Sequence, residues 1–137
     1  MESQQKEDEK FMRAAIEQAG QALVRNEVPI GAVIVCRGSI VGRGHNLVET
    51  LSDATAHAEM QAITSAANRI GGKYLNDCTL YVTVEPCVMC AGASAWSQVG
   101  RIVYGTPDPK HGYSTTGARL LHPRTTVTSG VLEVECS

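Results

Sequence analysis

Two short motifs carry the residues of this chain that are best suited to chemistry. The first is His57-x-Glu59, and the second is Pro86-Cys87-x-x-Cys90. One imidazole and two thiolates can bind zinc, and three protein ligands leave the fourth tetrahedral position open for water, as in catalytic rather than structural zinc sites. A carboxylate beside such a site can accept a proton from that water and pass it on. The motifs therefore predict one zinc ion per chain, bound by His57, Cys87 and Cys90, with Glu59 as the proton shuttle.

The spacing within the two motifs supports this site unequally. On a helix, residues i and i+3 such as Cys87 and Cys90 share one face, with Cβ atoms roughly 5–6 Å apart. The first turn of a helix also favours thiolate over thiol. By contrast, residues i and i+2 of an ideal helix, such as His57 and Glu59, point to nearly opposite sides, so spacing alone does not bring both to one site. The combined pattern is nevertheless typical of zinc-dependent hydrolytic deaminases of nucleobases.

The elements that must position these motifs follow from hydrophobic periodicity and turn signals. The predicted elements are helices at 8–25, 54–70 and 86–98 and strands at 30–36, 39–45, 78–84, 101–105 and 131–134. Residues 1–8 are expected to be flexible. We expect one deaminase domain over residues 1–137, built as a three-layer α/β/α sandwich around a mixed five-stranded sheet.

Composition excludes several classes of protein. The chain is 43% hydrophobic and 19% charged, which is typical of a soluble globular protein, and it has no apolar run long enough to span a membrane. The polar N-terminus lacks the pattern of a signal peptide, so a cytoplasmic protein is expected. The five cysteines lack the regular spacing of a disulfide framework. Cys36 and Cys78 are interpreted as small buried hydrophobic residues, and no disulfide-linked partner is expected.

Charge gives a weaker indication of a nucleic-acid surface. The net charge of −2 argues against indiscriminate binding to nucleic acid. Residues 86–132 nevertheless carry four basic residues against Asp108 alone. This segment can contact phosphates or form ordinary solvated surface, and both interpretations stay open. The single tryptophan, Trp96, favours a core or interface role over base stacking.

Three segments carry a resemblance to a known family. These are VPIGAV at 28–33, DATAHAE at 53–59 and LYVTVEPCVMCAGA at 80–93. They resemble the bacterial tRNA-specific adenosine deaminases of the cytidine deaminase superfamily, over about residues 11–108. The resemblance implies a cytidine-deaminase-like fold and a zinc enzyme that converts adenosine to inosine at the wobble position of a tRNA anticodon. It also implies a homodimer in which the partner subunit shapes each active site.

The resemblance also implies a set of substrate-binding residues. These are Val28, Pro29, Asn46, Ala58, Val84 and Asp108. Asn46 would contact the flipped nucleotide, Asp108 would lie near its ribose, and Val28, Pro29 and Val84 would form pocket walls. An anticodon loop already presents unstacked bases, so extruding one of them costs little.

Two alternatives to a tRNA deaminase remain. The family usually continues into a C-terminal helix rich in Arg and Lys, whereas this sequence ends at Ser137 just after Glu133 and Glu135. The same zinc site in a deaminase of a free base, such as guanine or cytosine, is therefore the nearest rival, since guanine deaminases share similar motifs. A noncatalytic zinc-stabilised RNA-binding module would not need Glu59 and would favour a fourth protein ligand, for which the sequence offers no good candidate.

Overall fold

A computed structural model describes residues 2–137 of the chain, with side chains from Ser3 onward. The helices are α1 (Glu2–Val24), α2 (Val48–Leu51), α3 (Ala58–Ile70), α4 (Val88–Trp96) and α5 (Glu133–Cys136). The strands are β1 (Gly31–Cys36), β2 (Ser39–His45), β3 (Cys78–Val84), β4 (Arg101–Thr106) and β5 (Thr126–Ser129). A short 3-10 helix covers Tyr113–Thr116. Among the described residues, no helix is long and apolar enough to cross a membrane.

The five strands form one mixed sheet in the order β2-β1-β3-β4-β5. Strand β1 runs antiparallel to both β2 and β3, whereas β3, β4 and β5 run parallel to one another. A parallel pair needs a crossover connection, and α4 supplies it between β3 and β4. The predicted mixed five-stranded sheet is thus confirmed, and the Pro-Cys-x-x-Cys motif directly follows the carboxyl end of β3.

Helices cover both faces of this sheet, which confirms the predicted three-layer sandwich. Side chains of α1 pack with alternate residues of β1, β3 and β4 in one cluster: Phe11, Met12, Ala15, Val33, Val35, Tyr81 and Val103. Side chains of α3 pack with the other set on the opposite face: Ala32, Ile34, Ala58, Ala62, Ile63, Ala66, Leu80, Val82 and Ile102. Alternation along buried strands sends neighbouring side chains to opposite layers.

The first helix begins earlier than expected, because Asp8 is anchored in the interior. Residues 2–8, which lie almost wholly before the predicted start of this helix, are helical. Asp8 accepts two hydrogen bonds of 2.7 Å from the Arg101 guanidinium and one of 2.7 Å from the Tyr81 hydroxyl. Burial by itself would raise the pKa of Asp8, but the hydrogen bonds from Arg101 and Tyr81 outweigh it and lower the pKa below its usual value. An ionised Asp8 therefore ties the start of the chain to β3 and β4.

The last predicted strand, at 131–134, is wrong. Strand β5 instead covers Thr126–Ser129, and Gly130 and Leu132 follow it with φ angles of 81° and 52°, which end the extended backbone. Val131 and Leu132 pack against the α1 side of the core. Strand β5 is the edge of the sheet and Val127 is 41% exposed, so its polar Thr-Val-Thr-Ser sequence lacked the apolar content that predicts a buried strand.

Candidate zinc centre and active site

The start of α3 explains how His57 and Glu59 reach the same site. The predicted helix at 54–70 begins only at Ala58, and His57 is its N-cap residue with extended backbone angles, φ −74° and ψ 157°. The rotation of about 100° per residue along a helix therefore does not apply to His57. His57 and Glu59 line the same cavity, and the conflict raised by their spacing is resolved.

The start of α4 places the two cysteines in a similar way. The helix begins at Val88 rather than at the predicted Pro86, and Cys87 is its N-cap residue, with φ −74° and ψ 175°. Cys90 lies in the first turn and is fully buried. Neither His57 nor Cys87 makes a side-chain capping hydrogen bond to its own helix. Two helix N-termini, the positive ends of the helix dipoles, thus converge on the thiols and favour their ionised forms.

The spacing of the three donor atoms fits zinc. His57 Nδ1 lies 3.5 Å from Cys87 Sγ and 3.6 Å from Cys90 Sγ. In a tetrahedral site with Zn–N of about 2.0 Å and Zn–S of about 2.3 Å, neighbouring nitrogen and sulfur ligands lie about 3.5 Å apart. Among the described residues, no fourth His, Cys, Asp or Glu atom joins this group. The donor set suits a zinc ion with one open coordination position.

Electrostatics around this group favour proton transfer. Glu59 is 4% exposed, and its burial raises its pKa to about 7. A carboxyl group with that pKa can both accept and donate a proton near neutral pH. A hydrogen bond from the Cys90 thiol lowers the pKa of Cys87 to about 5, despite the opposing effect of burial. The site therefore combines a readily ionised ligand with a carboxyl group suited to shuttle protons.

An open cavity of about 420 Å³ lies in front of the donor atoms. It is lined by most of the residues expected to bind substrate: Val28, Asn46, Ala58, Val84 and Asp108, together with His57, Glu59 and Cys87. Pro29 does not line it, and instead lines a neighbouring cavity of about 480 Å³ that shares Val28, Val84 and Asp108. Cys90 is not among the lining residues, since it is buried.

The two polar residues expected to contact substrate also hold backbone turns. Asn46 is buried, and its Oδ1 accepts a hydrogen bond of 3.2 Å from the backbone N–H of Val48. Asp108 Oδ1 accepts hydrogen bonds of 3.0 Å from the backbone N–H groups of Lys110 and His111. The bond from His111 contributes most to lowering the pKa of Asp108 below its usual value. Both side chains are thus fixed in place at the cavity rim.

Sequence reasoning missed Glu27, a buried carboxylate on one side of the cavity. Its oxygens accept hydrogen bonds of 3.1 Å from Glu49 N, 2.6 Å from Thr50 N and 2.6 Å from the Thr50 hydroxyl. The hydroxyl bond is the main cause of the lowered pKa of Glu27. An ionised Glu27 therefore holds the start of α2, a short helix that lies outside the three helices predicted from the sequence.

Glu85 plays the corresponding part on the other side and was also missed. It is 4% exposed, and its Oε1 accepts a hydrogen bond of 3.1 Å from Asp108 N. Its Oε2 accepts bonds of 3.0 Å and 2.6 Å from the backbone N–H and hydroxyl of Ser114. These bonds hold the segment that contains Asp108 and His111, so that both residues line the cavity. His111 was not predicted as a site residue. The position of Glu85 directly before the Pro-Cys-x-x-Cys motif was the one sequence signal that could have indicated its place beside the site.

The basic segment 86–132 is not a uniform basic surface. Arg101 is paired with the buried Asp8 at 2.7 Å, so its charge serves the fold. Lys110, Arg119 and Arg124 are exposed. Those three residues are the ones that remain for contacts with phosphate.

Comparison with known proteins gives the same family by three routes. Residues 5–106 match the family model of the cytidine and deoxycytidylate deaminase zinc-binding region. The tRNA-specific adenosine deaminase of Bacillus subtilis (strain 168) is 48% identical over 135 residues, covering 95% of this chain and 84% of that protein. A structure from a study of A-to-I editing by tRNA:A34 deaminases matches with a TM-score of 0.86 and 39% identity, covering 93% of this chain and 96% of the other. A guanine deaminase structure from Bacillus subtilis matches with a TM-score of 0.71 and 36% identity, covering 80% and 69% respectively.

These matches and the donor geometry bear on the same part of the molecule. The matched residues 5–106 contain the zinc-binding group and Glu59. The expected zinc cofactor and deaminase fold are therefore confirmed. The chain belongs to the zinc-binding cytidine and deoxycytidylate deaminase family and, within it, to the tRNA-specific adenosine deaminases.

Proposed function

We propose that this enzyme hydrolyses adenosine to inosine at the wobble position of a tRNA anticodon. The observation that carries the reaction type is the tetrahedral spacing of His57, Cys87 and Cys90 beside the buried Glu59 in an open cavity. Two relatives support this substrate. Both are tRNA-specific adenosine deaminases, and this chain matches each of them over most of its length. A tRNA substrate also implies a cytoplasmic location.

The residues of the site divide the work of the reaction. A zinc ion held by His57, Cys87 and Cys90 would activate a water molecule for attack on the base. The Glu59 carboxylate takes a proton from that water and delivers it to a ring nitrogen of adenine. Glu59 then takes the remaining proton from the hydroxyl now bonded to the base and gives it to the amino group as the C–N bond breaks, so that adenosine and water become inosine and ammonia. A pKa near 7 lets Glu59 return to its starting state after each cycle.

The rim of the cavity is suited to a base that has left its stack. The reacting carbon must approach the zinc site within the cavity, which a stacked base cannot do. Val28 and Val84 supply apolar walls. Because Asn46 Oδ1 is already used by Val48, its amide N–H groups are the ones that can donate to the acceptor nitrogens of adenine. Asp108 lines the same cavity, and its carboxylate would accept a hydrogen bond from a ribose hydroxyl.

We also propose that the enzyme is a homodimer through the outer face of α4. Val88, Gly92 and Trp96 form one stripe of this helix at i, i+4 and i+8, and Trp96 is 85% exposed. The core role allowed for Trp96 is therefore wrong, and of the two roles that remain the interface role was favoured over base stacking. Aromatic residues such as tryptophan are enriched at protein–protein interfaces. Light scattering should give a dimer mass for the wild type and a monomer mass for Trp96→Asp; a monomeric wild type would refute the proposal.

One assay separates the candidate substrates. The zinc-loaded enzyme is incubated with an anticodon stem-loop containing a wobble adenosine, with the same stem-loop containing a wobble guanosine, and with free guanine or cytosine. Inosine should form only in the first RNA, with one ammonia released per inosine. Ammonia from a free base alone would instead support the function of the structurally similar guanine deaminase. No turnover with any substrate would favour a noncatalytic zinc-stabilised RNA-binding module.

A further inference from the structure

A second pair of sulfur atoms lies away from the zinc centre. Cys36 is the last residue of β1 and Cys78 is the first of β3, and the two stand directly opposite each other in the antiparallel ladder. Their sulfur atoms lie within 4.8 Å of each other. Cys78 is 2% exposed, whereas Cys36 is partly open to solvent. The cavity residues Ile30 and Val84 lie at the opposite ends of these strands, so the pair is remote from the active site.

The hairpin fixes the kind of strand pair that the two cysteines form. Arg37 and Gly38 both have positive φ angles, 53° and 79°, as a two-residue type I′ turn requires. In such a hairpin the residues that flank the turn, Cys36 and Ser39, exchange backbone hydrogen bonds, so the backbone polar groups of Cys36 point toward β2 and away from β3. Cys36 and Cys78 are therefore a non-hydrogen-bonded pair.

The backbone bonds of Cys78 agree with this assignment. Its N–H donates to Leu75 O at 3.0 Å, and its carbonyl accepts from Gly100 N at 3.1 Å. Opposite residues of a non-hydrogen-bonded pair have Cα atoms about 4.5 Å apart and side chains in close contact. That separation falls at the short end of the range of about 4.4–6.8 Å found for disulfides. The strands thus hold the two sulfurs where a bond can form with little backbone movement.

We propose that Cys36 and Cys78 form a reversible disulfide when the protein meets a peroxide. The more accessible Cys36 sulfur attacks a peroxide oxygen, the O–O bond breaks, and water leaves, which gives a sulfenic acid. The Cys78 sulfur then attacks the Cys36 sulfur, the S–O bond breaks, and a second water leaves. In total the two thiols lose two electrons and two protons, and one hydrogen peroxide becomes two waters.

Local charges favour this disulfide over a second metal site. Asp77 lies near both sulfurs and completes a possible ligand group, but it is paired with the Arg37 guanidinium at 3.5 Å. That positive charge opposes a bound cation. The short Cα separation strains a cross-strand disulfide and makes it easier to reduce, so the bond is a reversible one.

Peptide mapping of the zinc-loaded protein tests this pair. After treatment with hydrogen peroxide, alkylation and digestion, we expect one peptide pair linked through Cys36 and Cys78, and dithiothreitol should remove the link. The Tm should rise on oxidation and fall back on reduction, since a cross-link restricts the unfolded chain. Zinc content should stay at one per chain. Cys36→Ser should abolish both the link and the Tm shift, whereas the matched control Cys136→Ser should keep both.

Three results would overturn the proposal. The first is sulfinic acid at Cys36 without any linked peptide. The second is oxidation of Cys87 and Cys90 with loss of zinc before the link appears. The third is a second zinc equivalent per chain that Cys36→Ser removes, which would assign the pair to a metal. None of these results bears on the proposed deamination, because that reaction is measured by inosine formation in the reduced protein.

Discussion

Replacing Gly44 by alanine is expected to damage the active site without touching it. Gly44 lies on β2 against the first turn of α3, where a Cβ atom would overlap the Ala58 carbonyl oxygen and come within 2.7 Å of Ala62 N. This turn follows His57 directly and contains Glu59. Any retreat of the helix from β2 at this point therefore moves both His57, the proposed zinc ligand, and Glu59, the proposed proton shuttle.

The size of the retreat sets the expected loss. Ordinary contact between non-bonded heavy atoms is about 3.5 Å or more, so the first turn must move by about 1 Å to accept the new methyl group. Overpacking of this kind costs about 1–3 kcal/mol of unfolding free energy. A displacement of about 1 Å between reacting groups lowers the rate about 100-fold. Gly44→Ala should thus lose much more activity than its loss of unfolding free energy alone would explain.

Gly42→Ala provides a matched control one turn farther along α3. Its Cβ would come within 2.5 Å of Ala62 O and 2.8 Å of Ala66 N, a similar overlap that lies beyond the turn carrying Glu59. We expect similar losses of stability in urea unfolding for the two variants, but a far larger loss of kcat and of zinc affinity for Gly44→Ala. Equal losses of kcat in both variants, or no loss in either, would refute the idea that the β2–α3 contact positions the site.

Four further substitutions test other parts of the structure. Glu59→Gln should retain zinc, measured by metal analysis, yet lower kcat at least about 100-fold, because the amide cannot shuttle a proton. Cys87→Ala should instead lose zinc and lower the Tm together. Asp8→Ala should lower the unfolding free energy by about 3 kcal/mol by leaving Arg101 unpaired. Because the folded-state pKa of Asp8 is lowered, its contribution is present above the usual Asp pKa of about 4 and is lost as the pH falls through the folded-state value, which urea unfolding at a series of pH values will show. Glu85→Gln should raise KM for the RNA more than it lowers kcat, since it loosens the rim rather than the zinc ligands.

The zinc centre was predictable from sequence because its chemistry is local. Cys87 and Cys90 are three residues apart, and His57 and Glu59 are two apart, so each half of the site lies within one motif. Sequence did not reveal how His57 and Glu59 face the same way, because that depends on the helix starting after His57. Propensity locates a helix more reliably than it locates the first helical residue.

The rim of the cavity was less predictable, because its contacts join distant parts of the chain. Glu27 bonds to Thr50, and Glu85 to Ser114, and neither pair has a characteristic spacing. A buried carboxylate with several backbone donors looks like any surface Glu in a sequence. Strand β5 was missed for a similar reason, since an edge strand needs only one partner and few apolar residues.

The residues proposed to catalyse and those proposed to select the substrate lie in different kinds of segment. The zinc ligands and Glu59 lie at the starts of α3 and α4, which the core holds through buried apolar contacts. The rim instead consists of two connecting segments, each pinned by one buried carboxylate, Glu27 or Glu85. The sequences of connecting segments vary more readily than those of packed helices, because few core contacts depend on them. We therefore expect substitutions in the segments that Glu27 and Glu85 hold to change the choice of substrate while leaving the bound zinc in place.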